Sequence, residues 1–298
     1  MRRGNNEARP VVVVGDLMTD VVVLLQEQFA PESDTASEIT IGPGGSGSNV
    51  AVFLVRGGVA AALVGAVGDD DRGQALVDAL VREKVSPYVQ VARGSHTGTV
   101  VSVVNPGGRR SMLTDRGANL SLDTGSLPDE LFGAGGHLHL SGYAVIDEAT
   151  RATAIEIFDR AGASQMSRSV DCSSAAPLAR MGAQAFFETT KGADVLFANG
   201  EEAQAITGST DPAVLASHYP MSIVTLGARG VALIERGASP RLFAPRDAPI
   251  VDTTGAGDAF TGAFLAAWVR DAEPDAAIET GLEAAASVVQ IPGARPSR

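Results

Sequence analysis

The chain has 298 residues, 45% of them hydrophobic and 19% charged, with a formal net charge of −12. That length and apolar content can bury a large core, whereas the acidic balance argues against nucleic acid or an anionic membrane surface as partner. The single cysteine, Cys172, excludes an internal disulfide and suits a reducing cytoplasm, and no apolar run approaches the ~20 residues of a membrane-spanning helix.

Residues 1–9 are polar and read as a frayed end. Arg2 and Arg3 precede an apolar run that Asp16 and Asp20 interrupt, without a small-residue cleavage site, so no secretory leader is expected. Residues 11–14, four valines, are too short a run for a helix and read as a central buried strand. Gly15 and Asp16 end it, and Asp20 opens a second β-branched run at 21–25. A carboxylate at the end of a buried strand can face a ligand crevice, although Asp16 reads equally as a turn cap and Asp20 as a solvated edge charge.

Residues 35–41 alternate as a short strand. A glycine-rich segment at 42–49 follows, and then a predicted helix at 50–56. Gly42, Gly44 and Gly47 match G-x-G-x-x-G, and Asp69, Asp70 and Asp71 lie about 20 residues on, the spacing of a dinucleotide fold. That pattern is weak alone. The preceding strand is short, and no lysine followed by Ser or Thr makes it a P-loop.

Residues 60–67 form another buried strand, and the acidic run after it fits helix capping better than metal binding. A helix is expected at 73–82. Strands at 97–104 and 109–114, joined by Asn105-Pro106-Gly107-Gly108, read as a hairpin, which with 21–25 and 35–41 could form a small separate sheet. His137 and His139 share one strand face, but no third ligand joins them, so a core role outweighs a metal. A helix at 151–161 leads to a strand ending at Asp171, where a crevice could begin. A strand at 194–198 runs into Asn199-Gly200-Glu201-Glu202. Another at 223–226 runs through a glycine-bearing turn into a hairpin partner at 231–234, and a helix is expected at 276–289.

The densest signal is Asp252-Thr253-Thr254-Gly255-Ala256-Gly257-Asp258. It follows Pro249-Ile250-Val251, which reads as a strand end, and precedes a nearly all-apolar run at 259–269, which reads as a buried helix. The turn therefore sits at a helix N-terminus, where free N–H groups and the dipole make an anion site, and bare glycine backbone lets the anion approach. Asp258 falls in the first turn, where the dipole favours the ionised form a general base needs. An anion hole beside a carboxylate base is what phosphoryl transfer to a hydroxyl requires.

This stretch resembles the C-terminal signature of the ribokinase-like (PfkB) carbohydrate kinases. The segment Gly44-Gly45-Ser46-Gly47-Ser48-Asn49 resembles their N-terminal signature. The resemblance spans nearly the whole chain, 10–298. It implies a three-layer α/β/α sandwich with a mostly parallel central sheet, and a small β-sheet lid from strands inserted at about 20–42 and 97–115. It also implies ATP and Mg²⁺ as cofactors, K⁺ as a further candidate, and a homodimer formed through the lid.

By the same resemblance Asp258 is the base, with Gly255, Ala256 and Gly257 as the anion hole; Asp20, Gly44, Gly45 and Asn49 join Asp258 in binding the substrate. Asn199, Thr225, Gly227, Gly230, Thr254 and Gly257 meet the nucleotide. Asn199 and Glu202 act on Mg²⁺ through water, and Asp252 on a monovalent cation with backbone of the tail around 293–297. Asp115 to Asn119 resembles the family segment after the lid, within which Arg116 meets either an anionic substrate group or a surface ion pair. Ser46 stands where many ribokinases have Lys, and 141–143 lacks a Glu that several members carry. Both departures argue against ribose itself. The expected activity is ATP-dependent phosphorylation of a sugar or sugar-like hydroxyl. A nucleoside kinase of the same family is the alternative, and an NAD-binding dehydrogenase or a catalytically silent sugar-binding protein are more distant ones.

Overall fold

The structure, a computed structural model, describes residues 9–107, 110–123, 127–291 and 293–295. It begins with β1 (Val11–Val14), β2 (Met18–Leu25), β3 (Ser37–Gly44), α1 (Ser46–Arg56), β4 (Ala61–Gly68), α2 (Asp71–Arg82) and β5 (Ser86–Ala92). Next come β6 (Thr99–Val104), β7 (Arg110–Asp115), β8 (His137–Leu140), α3 (Gly142–Ile146), α4 (Glu148–Ala163), β9 (Ser167–Asp171), α5 (Ala175–Met181) and α6 (Ala183–Thr189). The chain continues with β10 (Val195–Asn199), α7 (Gly200–Thr207), β11 (Met221–Thr225), β12 (Val231–Glu235), β13 (Arg241–Phe243), α8 (Ala256–Trp268) and α9 (Pro274–Val288).

The alternation of side chains along β1 explains the layering. Val12 and Val14 point into one core with Ile157 and Phe158 of α4, Phe186 of α6 and Ile206 of α7. Val11 and Val13 point into another with Leu54 of α1, Leu80 of α2, Phe264 of α8 and Ile278 of α9. A strand buried on both faces needs no polar alternation, and helices cover both faces of the sheet: a three-layer α/β/α sandwich. The nine strands run in the order β13-β12-β11-β10-β9-β8-β1-β4-β5. Neighbouring pairs from β5 to β11 are parallel, and the β11-β12-β13 edge is antiparallel.

After β1 the chain builds outward through β4 and β5, then returns to β1's other side with β8. The order reverses there, and an open α/β sheet offers a ligand crevice at the strand ends of such a switch point. A second, four-stranded sheet, β3-β2-β6-β7, stands apart from the first. Its odd-numbered positions bring Ile41, Val21, Val101 and Leu113 side by side, with Ile39, Val23 and Val103 in the next row. Asp20, Val100, Arg110, Met112 and Thr114 lie on the opposite face and line a cavity.

Several sequence expectations change. The glycine-rich segment already belongs to α1, which starts at Ser46 rather than at 50. It follows β3, an edge strand of the small sheet, and not a strand of the parallel sheet, which removes the dinucleotide-fold reading. Residues 249–251 are not a strand: Ile250 and Val251 are exposed, and the N–H groups of Val251 and Asp252 instead bond the Val289 carbonyl at the end of α9. Asp70 caps α2, accepting from Gly73 N and Thr97, so the acidic run is a helix start. His137 and His139 are buried against Ser167, Ser169 and Asp171, and burial pushes the His137 imidazole down to about 3, so it is neutral and structural. Gly108 of the hairpin turn lies outside the described residues, but β6 and β7 pair antiparallel as expected.

Phe264 is fully buried, and its ring meets Phe197 edge-on at 5.4 Å and stacks near Phe260 and Trp268. Phe264→Ala should cost about 3–5 kcal/mol in urea denaturation; a loss below about 1 kcal/mol would mean that α8 is not seated in this core.

Candidate active site

A cavity of about 340 Å³ opens at the carboxyl ends of the parallel strands. Asp16 reaches it from just beyond β1, Asp171 from β9, Asn199 from β10 and Thr225 from β11. The small sheet covers it with Asp20, Arg110 and Met112, and the N-termini of α1 and α8 enter with Ser46, Asn49, Gly257 and Asp258.

Asp258 lies at the centre of this arrangement. Ser46 Oγ donates to its Oδ1 at 2.8 Å, and Asn49 Nδ2 donates to its Oδ2 at 2.8 Å. These residues are one helical turn apart on α1, so one face of that helix holds both carboxylate oxygens. The helix dipole and these donors favour the anion, yet burial dominates. It pushes Asp258 up to about 7, with Asp171 and Asp16 adding repulsion. The sequence reading of a simply ionised carboxylate thus gives way to one poised near neutrality, because the dipole acts against desolvation and two further carboxylates.

The turn ahead of α8 has the form of an anion site. Gly255 caps the helix at φ 75°, and among the described residues no acceptor meets the N–H of Gly255, Gly257 or Asp258. Asp252 ties down the approach: Oδ1 accepts from Thr254 N at 2.9 Å and Thr254 Oγ1 at 2.7 Å, and Oδ2 accepts from Gly293 N at 2.9 Å. Arg110 of β7 donates to Thr254 Oγ1 at 2.9 Å and stands 3.9 Å from Asp252 Oδ1.

Asp20 is a buried carboxylate beside Gly44 with no hydrogen-bond donor among the described residues; desolvation lifts it to about 7 against the pull of Arg295. Gly45 joins it at the cavity wall. Asp16 is not a simple turn cap. It accepts from Gly47 N and pairs with Arg116 at 2.8 Å, while Arg116 also bonds Asp147 at 2.9 Å and stacks over Tyr143. Arg116 is therefore committed to a largely buried ion-pair network rather than to a surface one.

Asn199 and Glu202 form a reciprocal capping box at the start of α7. Glu202 is buried and lifted to about 7, chiefly by desolvation. Each of its oxygens takes one bond from Asn199, so lone pairs remain for water or a cation. No group of three or more His, Cys, Asp or Glu side chains forms a metal cage among the described residues. Gly227 and Gly230 flank a short turn after β11, beside a second hollow lined by Asn199, Thr225 and Arg229.

The sequence motifs supplied Asp20, Gly44, Gly45, Asn49, Asn199, Glu202, Thr225, Thr254, Gly255, Gly257 and Asp258, and all of them except Gly44 line these two hollows. Gly44 backs Asp20, and Asp252 lies one layer behind. Gly230 ends its turn, and Ala256 opens α8. The motifs gave no role to Ser46 as a partner of Asp258, nor to Arg110 or Arg295. Arg295 donates from Nε to Asn49 Oδ1 at 2.7 Å, across 246 positions, and no local pattern announces such a contact.

Comparison with known proteins identifies the family and the fold. The family model "pfkB family carbohydrate kinase" matches residues 8–298. The chain is 30% identical to a ribokinase of Mus musculus over 87% of this chain and 81% of that protein, and 33% identical to a fructokinase of Escherichia coli over 86% and 83%. Among solved structures, an adenosine kinase from Sinorhizobium meliloti superposes with a TM-score of 0.86 at 23% identity, covering 97% of this chain and 96% of that one. A ribokinase from Cryptococcus neoformans var. grubii serotype A, in complex with ADP, gives 0.76 at 23% identity over 96% and 94%.

Gly255 tests the turn. A Cβ there would stand 2.5 Å from Ala294 Cβ and 2.7 Å from Ala294 Cα, at a backbone angle side chains rarely adopt. Gly255→Ala should lower stability by about 1–3 kcal/mol in chemical denaturation. Unchanged stability would show that the turn and tail do not pack in this way.

Proposed function

Because the chain belongs to the pfkB family of carbohydrate kinases, phosphotransferases acting on sugar hydroxyls, we propose that it transfers the γ-phosphate of ATP to a hydroxyl of a sugar or sugar-like molecule. The observation that carries the reading is the Asp258 carboxylate, held in the cavity beside N–H groups that have no acceptor among the described residues. The acceptor hydroxyl lies against Asp258, with Asp20, Asn49 and the backbone of Gly45 binding its other hydroxyls. As the acceptor oxygen bonds to phosphorus, its proton passes to Asp258, the bond to the β-phosphate oxygen breaks, and ADP leaves. The backbone at 255–257 holds the charge on the transferred phosphoryl oxygens.

The nucleotide lies along Asn199, Thr225, Gly227, Thr254 and Gly257, while Gly230 closes the turn behind them. Asn199 and Glu202 offer oxygen donors suited to Mg²⁺ held through water, and Mg²⁺ when bound neutralises phosphate charge. The solved relatives bound to ADP, one of them a fructokinase with fructose and calcium, fit this reading. At Asp252 the Arg110 guanidinium already stands beside the buried carboxylate, so a bound K⁺ is not part of the proposal. Ser46, short and engaged with Asp258, and the lack of a carboxylate at 141–143 argue for an acceptor other than ribose.

The small sheet is a lid, and its outer face is where two copies join. Ile39, Ile41 and Leu113 are 60%, 68% and 66% exposed there, beside the partly exposed Val21, Val23, Val101 and Val103. An exposed aliphatic face of this kind, with Asp115 at its edge, is matched by the same face of a second copy across a two-fold axis. Sedimentation velocity should show a dimer, and Ile41→Lys with Leu113→Lys should give a monomer; a wild-type monomer at tens of micromolar would refute the pairing.

The acceptor can be found by screening hydroxyl compounds for ADP release. With the best of them, Asp258→Asn should melt like the wild type but turn over about 10²–10⁴-fold more slowly, since Asn keeps the shape and cannot take the proton. Asp258 must be ionised to act and its carboxyl sits at about 7, so kcat/KM should fall as pH drops below that value. A well-folded Asp258→Asn enzyme keeping more than about a tenth of wild-type turnover rules the base assignment out.

A further inference from the structure

The tail beyond α9 turns back onto the site. Gly293 N donates to Asp252, Ala294 packs on Gly255, and Arg295 lies between the tail and the start of α1. Arg295 donates from Nε to Asn49 Oδ1 at 2.7 Å and from Nη2 to Ser48 Oγ. Asn49 is buried at 3% exposure, and its Nδ2 donates to Asp258 Oδ2. An asparagine amide has a donor end and an acceptor end of nearly equal size, so its orientation is set by its partners. Arg295, a donor on every nitrogen, can only face the carbonyl end. We infer that Arg295 is a positioning residue for phosphoryl transfer, one that locks the Asn49 amide so that it always presents N–H to the Asp258 carboxylate. This rests on the reading of Asp258 as the base.

The lock matters because Asp258 titrates near neutrality. An ionised Asp258 orients the amide by itself, but a protonated one would tolerate the flipped amide, with Oδ1 accepting its proton. Fixing Oδ1 on Arg295 removes that option and so favours the anion. The Arg295 charge acts in the same direction, but its stronger partner is Asp20, which it pulls toward the anion more than it does Asp258. Opposing it are Asp16 from beyond β1 and Asp171 from β9. Asp20 and Glu202 line the same cavity, together with Arg110 and the already paired Arg116.

The test is the pH profile of Arg295→Met in the full-length protein, with the acceptor found by ADP release. Losing the lock and the charge raises the pH at which Asp258 ionises; because Arg295 also holds Asp20 down, the same substitution is made in Asp20→Asn, where the limb should still move. The acid limb of kcat/KM should then move up by about one pH unit, a roughly tenfold loss near pH 6 that vanishes near pH 9. Arg295→Lys, which keeps the charge and one donor, should move the limb less, in the same direction. If Arg295→Met does not fold, Arg295→Gln, which removes the charge and can turn either end of its amide to Asn49, decides: an unmoved limb overturns the inference. A loss equal at all pH values, or a lower melting temperature with an unmoved limb, likewise overturns it and leaves Arg295 a structural anchor. Activity retained in Asp258→Asn would instead sink the base assignment, whatever Arg295 does, so the two failures are distinct.

Discussion

The site depends on one contact, the Asp258 carboxylate bridged to Ser46 and Asn49 across 212 and 209 positions of sequence. A carboxylate in a partly buried cavity is stabilised by donors, and for Asp258 both come from one turn of α1. That is possible only because α1 and α8 lie very close. A Cβ on Gly262 would stand 2.6 Å from Phe53 Cβ and 2.7 Å from the Val50 carbonyl, so this position of α8 must lack a side chain. Without that approach the two helix N-termini would separate, and the glycine-rich segment and the Asp-Thr-Thr-Gly-Ala-Gly-Asp turn would be unrelated loops.

The switch point of the sheet then decides the electrostatics. Strand ends converge there, and this chain has placed Asp16 and Asp171 on them, facing Asp258 and joined by Asp20 and Glu202. So many carboxylates in one partly buried cavity raise one another's affinity for protons. Arg116 offsets Asp16 and Asp147 by direct pairing, which leaves the repulsion on the remaining groups. Asp20, Glu202 and Asp258 are all lifted to about 7, each first by desolvation. A base at that value is strong enough to take a proton and is still substantially ionised at neutral pH, the compromise general base catalysis favours.

What the sequence displayed follows from how local each signal is. The four valines of β1 and the apolar run of α8 are written in consecutive residues, and each is legible, whereas the capping box of α7 emerges only in the structure. Gly255 and Gly257 were legible because bare backbone at a helix start has few other uses. The start of α1 is hidden because glycines and serines read as loop, although tertiary contact with Asp16 and Asp258 holds them helical. Residues 249–251 mislead for the complementary reason: three residues ending in Ile and Val look like a strand, but among the described residues no partner strand lies beside them. The short helices α5 and α6 and the edge strands β5 and β13 have patterns too brief or too mixed to separate from their surroundings.

Arg110 and Arg295 mark the limit of such reading, and together they show how the site is assembled. One comes from the lid hairpin and the other from the tail, and each meets a different half of the same turn-and-helix pair: Thr254 and Asp252 on one side, Asn49 on the other. Neither contact is specified by its neighbours in sequence, because each exists only once both sheets and the tail are in place. A lid displaced from the cavity takes Arg110 from Thr254, and a loosened tail frees Asp252, Gly255 and Asn49 at once. The geometry around Asp258 is therefore a property of the whole fold, and the motifs supply its chemistry without supplying its alignment.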